Sequence, residues 1–153
     1  MNKSQIEKLK ARKGPARMAD IPKDVLKALN AGVIETKTLV EWLAIDHCQL
    51  LESALSAAKL DHHKELLMAA ARIISSDGIE QRTRRMGAVL FSVAGSSGTA
   101  FEALATHSSD MVRSWAAMMV AADASLTLKQ RLARIKRFAA DSNMSTRECA
   151  SCI

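Results

Sequence analysis

Hydrophobic positions along this chain recur at spacings of three, four and seven residues, which is the period of amphipathic α-helices. The capping box Thr38-Leu-Val-Glu41 predicts the start of one long helix that continues to Lys59. The apolar stripe expected on that helix comprises Leu39, Leu43, Leu50, Ala54 and Ala58.

Turn and capping signals divide the rest of the chain into further helices. Their expected first turns lie near Pro22, Asp61, Ile79, Phe101, Met111, Thr127 and Ser145. The helix from Met111 to Ala122 is apolar nearly all round from Trp115 onward, so we expect it at the centre of the domain. Together the signals predict seven to eight helices and an all-α fold.

Two of these helices carry apolar stripes that we expect to be buried. The stripe after Asp61 comprises Leu66, Leu67, Ala70, Ile73 and Ile74. The stripe after a second capping box, Thr127-Leu-Lys-Gln130, comprises Leu128, Leu132, Ile135 and Phe138.

Short polar turns recur at one fixed interval. Ser75-Ser76-Asp77, Ser108-Ser109-Asp110 and Asp141-Ser142-Asn143 stand 33 residues apart twice over. Repeats of this length, each a pair of helices, are typical of α-solenoids. Chance spacing of the caps and a long up-and-down bundle are the alternatives, although a bundle needs no such period.

Charge divides the chain into two regions. The formal net charge is +6, and the first seventeen residues hold six basic side chains against one acidic one. Residues 1–20 therefore read as a basic arm, which suits phosphates or an acidic membrane surface, or serves as a solubilising tail. Residues 21–153 read as a helical domain whose last repeat is incomplete.

Cysteine usage and hydropathy bear on compartment and on cofactors. No apolar leader follows the N-terminal charges, and three cysteines form no disulfide framework, so we expect a cytoplasmic protein without membrane contact. Cys149-x-x-Cys152 lacks a second ligand pair, and the adjacent His62 and His63 point about 100° apart on a helix. We expect no metal and no cofactor, and the absence of a phosphate-binding loop argues against nucleotide hydrolysis.

Four segments of the chain carry a resemblance to known proteins, namely Ser109-Asp-Met-Val-Arg-Ser-Trp-Ala116, Leu126-Thr-Leu-Lys-Gln-Arg-Leu132, residues 138–148 and Arg85-Met-Gly-Ala-Val-Leu-Phe91. These segments resemble the DNA alkylation repair family of HEAT-like repeat proteins. The resemblance spans roughly residues 38 to 148. It implies a curved α-solenoid of HEAT-like helical hairpins whose concave basic face holds duplex DNA and, in enzymatic members, the excision of cationic alkylated bases.

The resemblance also implies a catalytic constellation of a Trp, an Asp one helical turn away and an Arg. Trp42 and Asp46 have that spacing, and on one helix their side chains would be neighbours. The carboxylate would stabilise the cationic sugar that develops as the base leaves, and the indole would pack on the base. Arg82 and Arg85 are both candidates for the Arg.

Basic residues on two predicted helices are candidates for phosphate contact. The full set of candidate nucleic-acid-binding residues is Arg82, Arg84, Arg85, Arg131, Arg134, Arg137, Lys10 and Lys13. Stacking of the helices in a solenoid would align the two basic clusters into one stripe that binds phosphates. The alternative is that each cluster is an ordinary solvated helix face.

Three functions compete on this evidence. The first is a DNA-binding HEAT-like module related to alkylation repair, with duplex DNA as partner. The alternative is a protein–protein interaction scaffold, because solenoids also bind partner proteins and a fold alone does not decide function. The third is a glycosylase that uses Trp42, Asp46 and one Arg. An unfinished last repeat would expose apolar surface and favour a homodimer or a capping partner.

Overall fold

The structure is a computed structural model that describes residues 2–153, and these residues form ten α-helices and no strand. The helices are α1 (Lys3–Lys10), α2 (Lys23–Asn30), α3 (Leu39–Ala44), α4 (His47–Ala57), α5 (Lys64–Ile74), α6 (Ile79–Ala94), α7 (Thr99–Ala105), α8 (Asp110–Ala122), α9 (Leu128–Ala139) and α10 (Met144–Ser151). The expected all-α class is confirmed, whereas the expected seven to eight helices were too few.

The basic arm contributes one of the additional helices. Asn2 and Gln5 form a capping box at the start of α1, in which each side chain accepts a hydrogen bond from the other residue's backbone N–H. Leu9 is buried in the hydrophobic core. The arm is therefore attached to the helical domain over at least part of its length.

The other additional helix arises because the long helix expected from Leu39 to Lys59 is interrupted. Ile45 and Asp46 are extended, and the Asp46 carboxylate caps α4 by accepting hydrogen bonds from the backbone N–H groups of Cys48 and Gln49. The Asp46 N–H donates in turn to the side chain of Asn30 at 2.9 Å. The prediction of one continuous helix was wrong because a local cap replaces the helical hydrogen bonds at this point.

Helix α8 lies at the centre of the molecule, as its sequence predicted. Every residue from Asp110 to Val120 is buried. Helices α4, α6, α7, α9 and α10 all pack against it. Because α8 has no exposed side along this stretch, it offers no open groove of its own.

Consecutive helices pair as α5 with α6, α7 with α8, and α9 with α10, and the second members of the three pairs stack as α6, α8 and α10. Contacts join the starts of α8 and α10, such as that of the Thr146 hydroxyl, which donates to the Asp110 carbonyl 36 residues away at 3.2 Å. The matched turns nevertheless differ in role: Asn143 caps α10, whereas Ser75 and Ser76 bond back to carbonyls of α5.

Six of the fourteen residues in the predicted apolar stripes are exposed. Leu50, Ala54, Ala58, Leu67, Ile74, Ile135 and Phe138 are in the core, as expected, and Ala70 is partly buried. The exposed members are Leu39, Leu43, Leu66, Ile73, Leu128 and Leu132. Each helix buries only the narrow side that faces its neighbours, so the outer edge of each predicted stripe remains in contact with solvent.

We expect Gly87→Ala to destabilise the protein, because Gly87 lets α6 and α8 approach closely. A Cβ at this position would lie 2.2 Å from the Met118 Cβ and 2.9 Å from the Trp115 carbonyl oxygen. Helix propensity alone favours Ala over Gly by about 1 kcal/mol, whereas overpacking costs about 1–3 kcal/mol. Urea denaturation followed by circular dichroism should show a net loss. Gln81→Ala, at an exposed position of the same helix, is the control, and equal stability of the two variants would contradict the close contact.

Candidate functional site

Trp42 and Asp46 do not form the neighbouring pair that the resemblance implied. Trp42 belongs to α3 and is only 7% exposed. Asp46 follows the interruption and its carboxylate is engaged by Cys48, Gln49 and the Gln49 side chain. An aromatic face for a flipped base and a carboxylate for a sugar cation are thus not presented together, because the chain bends between them.

Trp42 instead lines a cavity of about 170 Å³ between α3, α6 and α10. The other lining residues are Ile79, Glu80, Thr83, Met118, Glu148, Cys149 and Cys152. The indole Nε1 of Trp42 is buried, and no acceptor lies within hydrogen-bonding distance of it in residues 2–153. Burial raises the pKa of Cys149, so this thiol is a poor nucleophile at neutral pH.

The arginines of α6 are largely engaged within the protein. Arg84 contacts Glu80 at 3.4 Å, and Arg85 contacts Asp77 at 2.7 Å. Arg82 is half-buried and forms no such ion pair within the described residues, and its Nε is buried without an acceptor. Of the two candidates for a catalytic Arg, Arg85 is held by a carboxylate at the start of its own helix.

The arginines of α9 also have partners. Arg137 donates to both carboxylate oxygens of Glu102 at 2.9 Å, and its guanidinium lies over the Phe138 ring. Arg134 donates to the Ser96 carbonyl at 3.0 Å and lies 3.8 Å from the Asp123 carboxylate.

The third arginine, Arg131, donates to the backbone carbonyl of Asp123 at 3.1 Å. Arg131 and Arg134 therefore fasten α9 to neighbouring turns, and Arg137 fastens it to α7. They are less free to neutralise phosphates than their number in the sequence suggests.

The basic arm is anchored by one buried ion pair. Arg12 binds Glu41 through two hydrogen bonds of 3.0 and 2.6 Å, and the Glu41 carboxylate is fully buried. Glu41 also accepts from the Lys37 N–H at 2.7 Å, so it does not complete the expected capping box with Thr38. The two arm residues expected to bind nucleic acid, Lys10 and Lys13, are exposed, and Lys10 contacts Glu7 at 3.2 Å.

A buried polar network holds the start of α8. Arg113, whose side chain is 9% exposed, binds both oxygens of Asp141 at 2.7 and 2.9 Å and also donates to Glu35. Its third partner is the His107 carbonyl at 2.8 Å. The network joins the loop before α3, helix α8 and the loop before α10.

Asp110 is the second buried charge in this network. Its carboxylate accepts from the N–H of Thr36 at 3.0 Å and from the Thr36 hydroxyl. Burial raises the pKa of Asp110, and the Thr36 hydrogen bonds oppose that change. Asn143 completes the link by donating to the Thr36 carbonyl at 3.0 Å.

These contacts define a crossing segment, residues 32–47, that meets the start of α8. Ser108 donates to the Gly32 carbonyl near its start, and the His47 ring packs against Trp115 with 5.6 Å between centroids at its end. In the fold implied by the resemblance, the concave face would hold DNA. Here the crossing segment contacts the first turns of the central helix, which other helices bury as far as Val120.

His47 is buried against Trp115 without hydrogen-bond partners among residues 2–153 for either ring nitrogen. Burial lowers the pKa of His47 to about 3, helped by the charge of Arg82 and opposed by Asp46. The ring is therefore neutral at physiological pH and acts as part of the core.

One surface of α9 combines apolar and basic side chains. Its two leucines belong to the apolar stripe that we expected to be buried in the core. Leu128 is 71% exposed and Leu132 is 57% exposed, and the exposed Lys129 and Lys136 lie beside them on α9. We call these four residues the α9 surface. The signal in the sequence was the charge of α9, since Leu128–Ala139 contains five basic residues and no acidic one.

None of the helices within residues 2–153 is long and apolar enough to span a bilayer. In the same part of the chain, no group of three or more His, Cys, Asp and Glu side chains is arranged to hold a metal ion. Comparison with protein-family models, curated proteins and solved structures gave no significant match to this chain.

We expect Arg113→Ala to lower the free energy of unfolding by about 3 kcal/mol, because removing one partner of a buried ion pair leaves the carboxylates of Asp141 and Glu35 unpaired. Arg84→Ala, which removes only an exposed pair, should change it by less than about 0.5 kcal/mol. Urea denaturation of both variants checks this, and similar losses in the two would show that the network contributes little.

Titration of His47 should make stability depend on pH. The pKa of His47 is 6.5 in the unfolded state and about 3 in the folded state, so between these pH values the unfolded state binds more protons. The free energy of unfolding therefore falls as the pH decreases from 6.5 to about 3. The slope from this one residue is at most about 1.4 kcal/mol per pH unit. Denaturation curves from pH 4.5 to 6.5 should be flatter for His47→Phe than for wild type. The exposed control His62→Gln should keep the wild-type slope, and an unchanged slope in His47→Phe would contradict the assignment.

Proposed function

We propose that this protein is a protein-interaction domain that binds its partner through the α9 surface. The observation that carries the proposal is the pair of highly exposed leucines, Leu128 and Leu132, beside the exposed Lys129 and Lys136. Exposed large apolar side chains clustered with charge are typical of protein interaction sites. A phosphate-binding site would not explain why Leu128 and Leu132 are exposed, because phosphates bind the lysines and not the leucines.

The state of the arginines supports the same proposal. Arg85, Arg134 and Arg137 contact carboxylates of the protein itself. A phosphate would have to displace these carboxylates, which lowers the net gain from binding. Helix α8 is buried from Asp110 to Val120, so the central helix offers no surface to a cradle for duplex DNA.

We propose further that the three helix pairs are a short stack of HEAT-like hairpins. The 33-residue interval of the polar turns and the packing of α6 on α8 and of α8 on α10 support this arrangement. The resemblance to the DNA alkylation repair family is compatible with it. In this proposal the hairpins provide a scaffold, and the crossing segment fills the side that a longer solenoid would leave open.

DNA binding is the second candidate, and the charge of α9 favours it. Five basic residues without an acidic one would attract the phosphate backbone, with affinity that falls steeply as salt increases. We do not propose glycosylase activity, because Trp42 is buried and Asp46 caps α4.

Two double variants distinguish the candidates. Leu128→Ser/Leu132→Ser removes the apolar side chains and keeps every charge, whereas Lys129→Ser/Lys136→Ser does the opposite. For each variant and for wild type, we would measure affinity for an unmodified DNA duplex by fluorescence anisotropy across a salt series. The same proteins would be used to co-precipitate partners from a lysate.

If the protein-interaction proposal holds, co-precipitation of a specific partner falls at least about tenfold in the leucine variant, since a hydrophobic contact of two leucines is worth a few kcal/mol. Leu66→Ser, at an exposed leucine on α5, should leave it unchanged. Micromolar DNA binding with a steep salt slope, lost in the lysine variant and kept in the leucine variant, would overturn the proposal in favour of DNA.

A further inference from the structure

Helix α9 has two flanks, and one of them contacts α7 through two pairs of side chains. Phe101 of α7 packs edge-on against Phe138, with 6.4 Å between ring centroids. The neighbouring Glu102 forms the ion pair with Arg137 at 2.9 Å. Helix α7 thus meets α9 with an apolar side chain next to a carboxylate.

The other flank holds the α9 surface. At 100° per residue, Leu128 and Leu132 lie about 40° apart and about 120–180° round the helix from Arg134 and Arg137, which face the α7 side. Lys129 and Lys136 lie within about 100° of the two leucines. Nothing else in residues 2–153 buries these leucines.

This second flank therefore offers the same two chemical features that α7 satisfies on the first, namely an apolar strip and basic side chains. On the first flank the partner is a helix with an apolar residue and a carboxylate in adjacent positions. The partner with complementary chemistry for the second flank is an amphipathic helix that carries acidic side chains beside its apolar strip.

We infer that the α9 surface binds an acidic amphipathic α-helix of another protein. Apolar side chains at positions i and i+4 of that helix would lie on Leu128 and Leu132. Carboxylates beside them would pair with Lys129 and Lys136. This inference rests on the proposed protein-interaction function and specifies the chemistry of the partner.

Charge makes a second copy of this chain a poor occupant. Two α9 surfaces in contact would place the lysines of both copies together, with no acidic residue on either α9 to compensate. An anionic membrane would satisfy the lysines. However, only two large apolar residues and no aromatic one occur on this flank, which is a small area for insertion between lipids.

The test uses a labelled helical peptide with Leu at i and i+4 and Glu on both borders of the leucine strip. A scrambled peptide of the same composition destroys the amphipathic arrangement, and a third peptide carries Lys in place of Glu. Fluorescence anisotropy with the full chain should show binding of the acidic peptide at least about tenfold tighter than of the other two.

Variants locate the site and test its charge. Leu128→Ser/Leu132→Ser and Lys129→Glu/Lys136→Glu should each weaken binding of the acidic peptide at least tenfold. The charge-reversed variant should instead bind the Lys-bearing peptide, which a merely unfolded protein would not do. Leu66→Ser and Lys23→Glu, at exposed positions on other helices, are the matched controls and should bind like wild type.

Several outcomes would overturn the inference. One is acidic-peptide binding that is absent or insensitive to both α9 variants. Another is stronger association of wild type with phosphatidylserine vesicles than with the peptide, lost in the same variants. A third is leucine-dependent dimerisation in sedimentation velocity. If the peptide fails while the leucine variant still loses its co-precipitated partner, the partner chemistry is wrong and the protein-interaction function stands. If both fail, the function itself is wrong.

Discussion

The fold depends on the buried arginine of α8. Arg113 joins the loop before α3, the turn before α8 and the loop before α10, because its guanidinium reaches Glu35, the His107 carbonyl and Asp141. A buried guanidinium is costly unless its donors are satisfied, so these three segments are held in one arrangement. The same contacts hold the crossing segment at the first turns of α8, and the packing of other helices, above all α6 and α10, buries the rest of the central helix.

The burial of α8 limits how the basic residues can be arranged for binding phosphates. In an open stack of hairpins, the basic residues would line a continuous concave face. Here α8 is buried from Asp110 to Val120, and most arginines of α6 and α9 contact carboxylates or carbonyls of the protein itself. The proposed protein partner would therefore depend on the exposed leucines and lysines of α9.

The helical content was predictable from the sequence, but the candidate site was not. Periodicity and the Thr127–Gln130 capping box located α9, since these are local features of a few turns. They did not show which of its apolar residues are covered. Ile135 and Phe138 face α7, α8 and α10, whereas Leu128 and Leu132 lie on the same periodic stripe and remain exposed, because the neighbouring helices cover only part of it.

By itself, the sequence determined the all-α class and the central position of α8, because hydrophobic periodicity and caps act over neighbouring residues. Only the tertiary structure decided the ion pair between Arg113 and Glu35, which are 78 residues apart, and the exposure of the α9 leucines. At the break it adds to a local cap, because the Asp46 N–H donates a hydrogen bond to the side chain of Asn30, sixteen residues away. Contacts over such distances depend on how helices pack, and no local pattern of residue types encodes that packing.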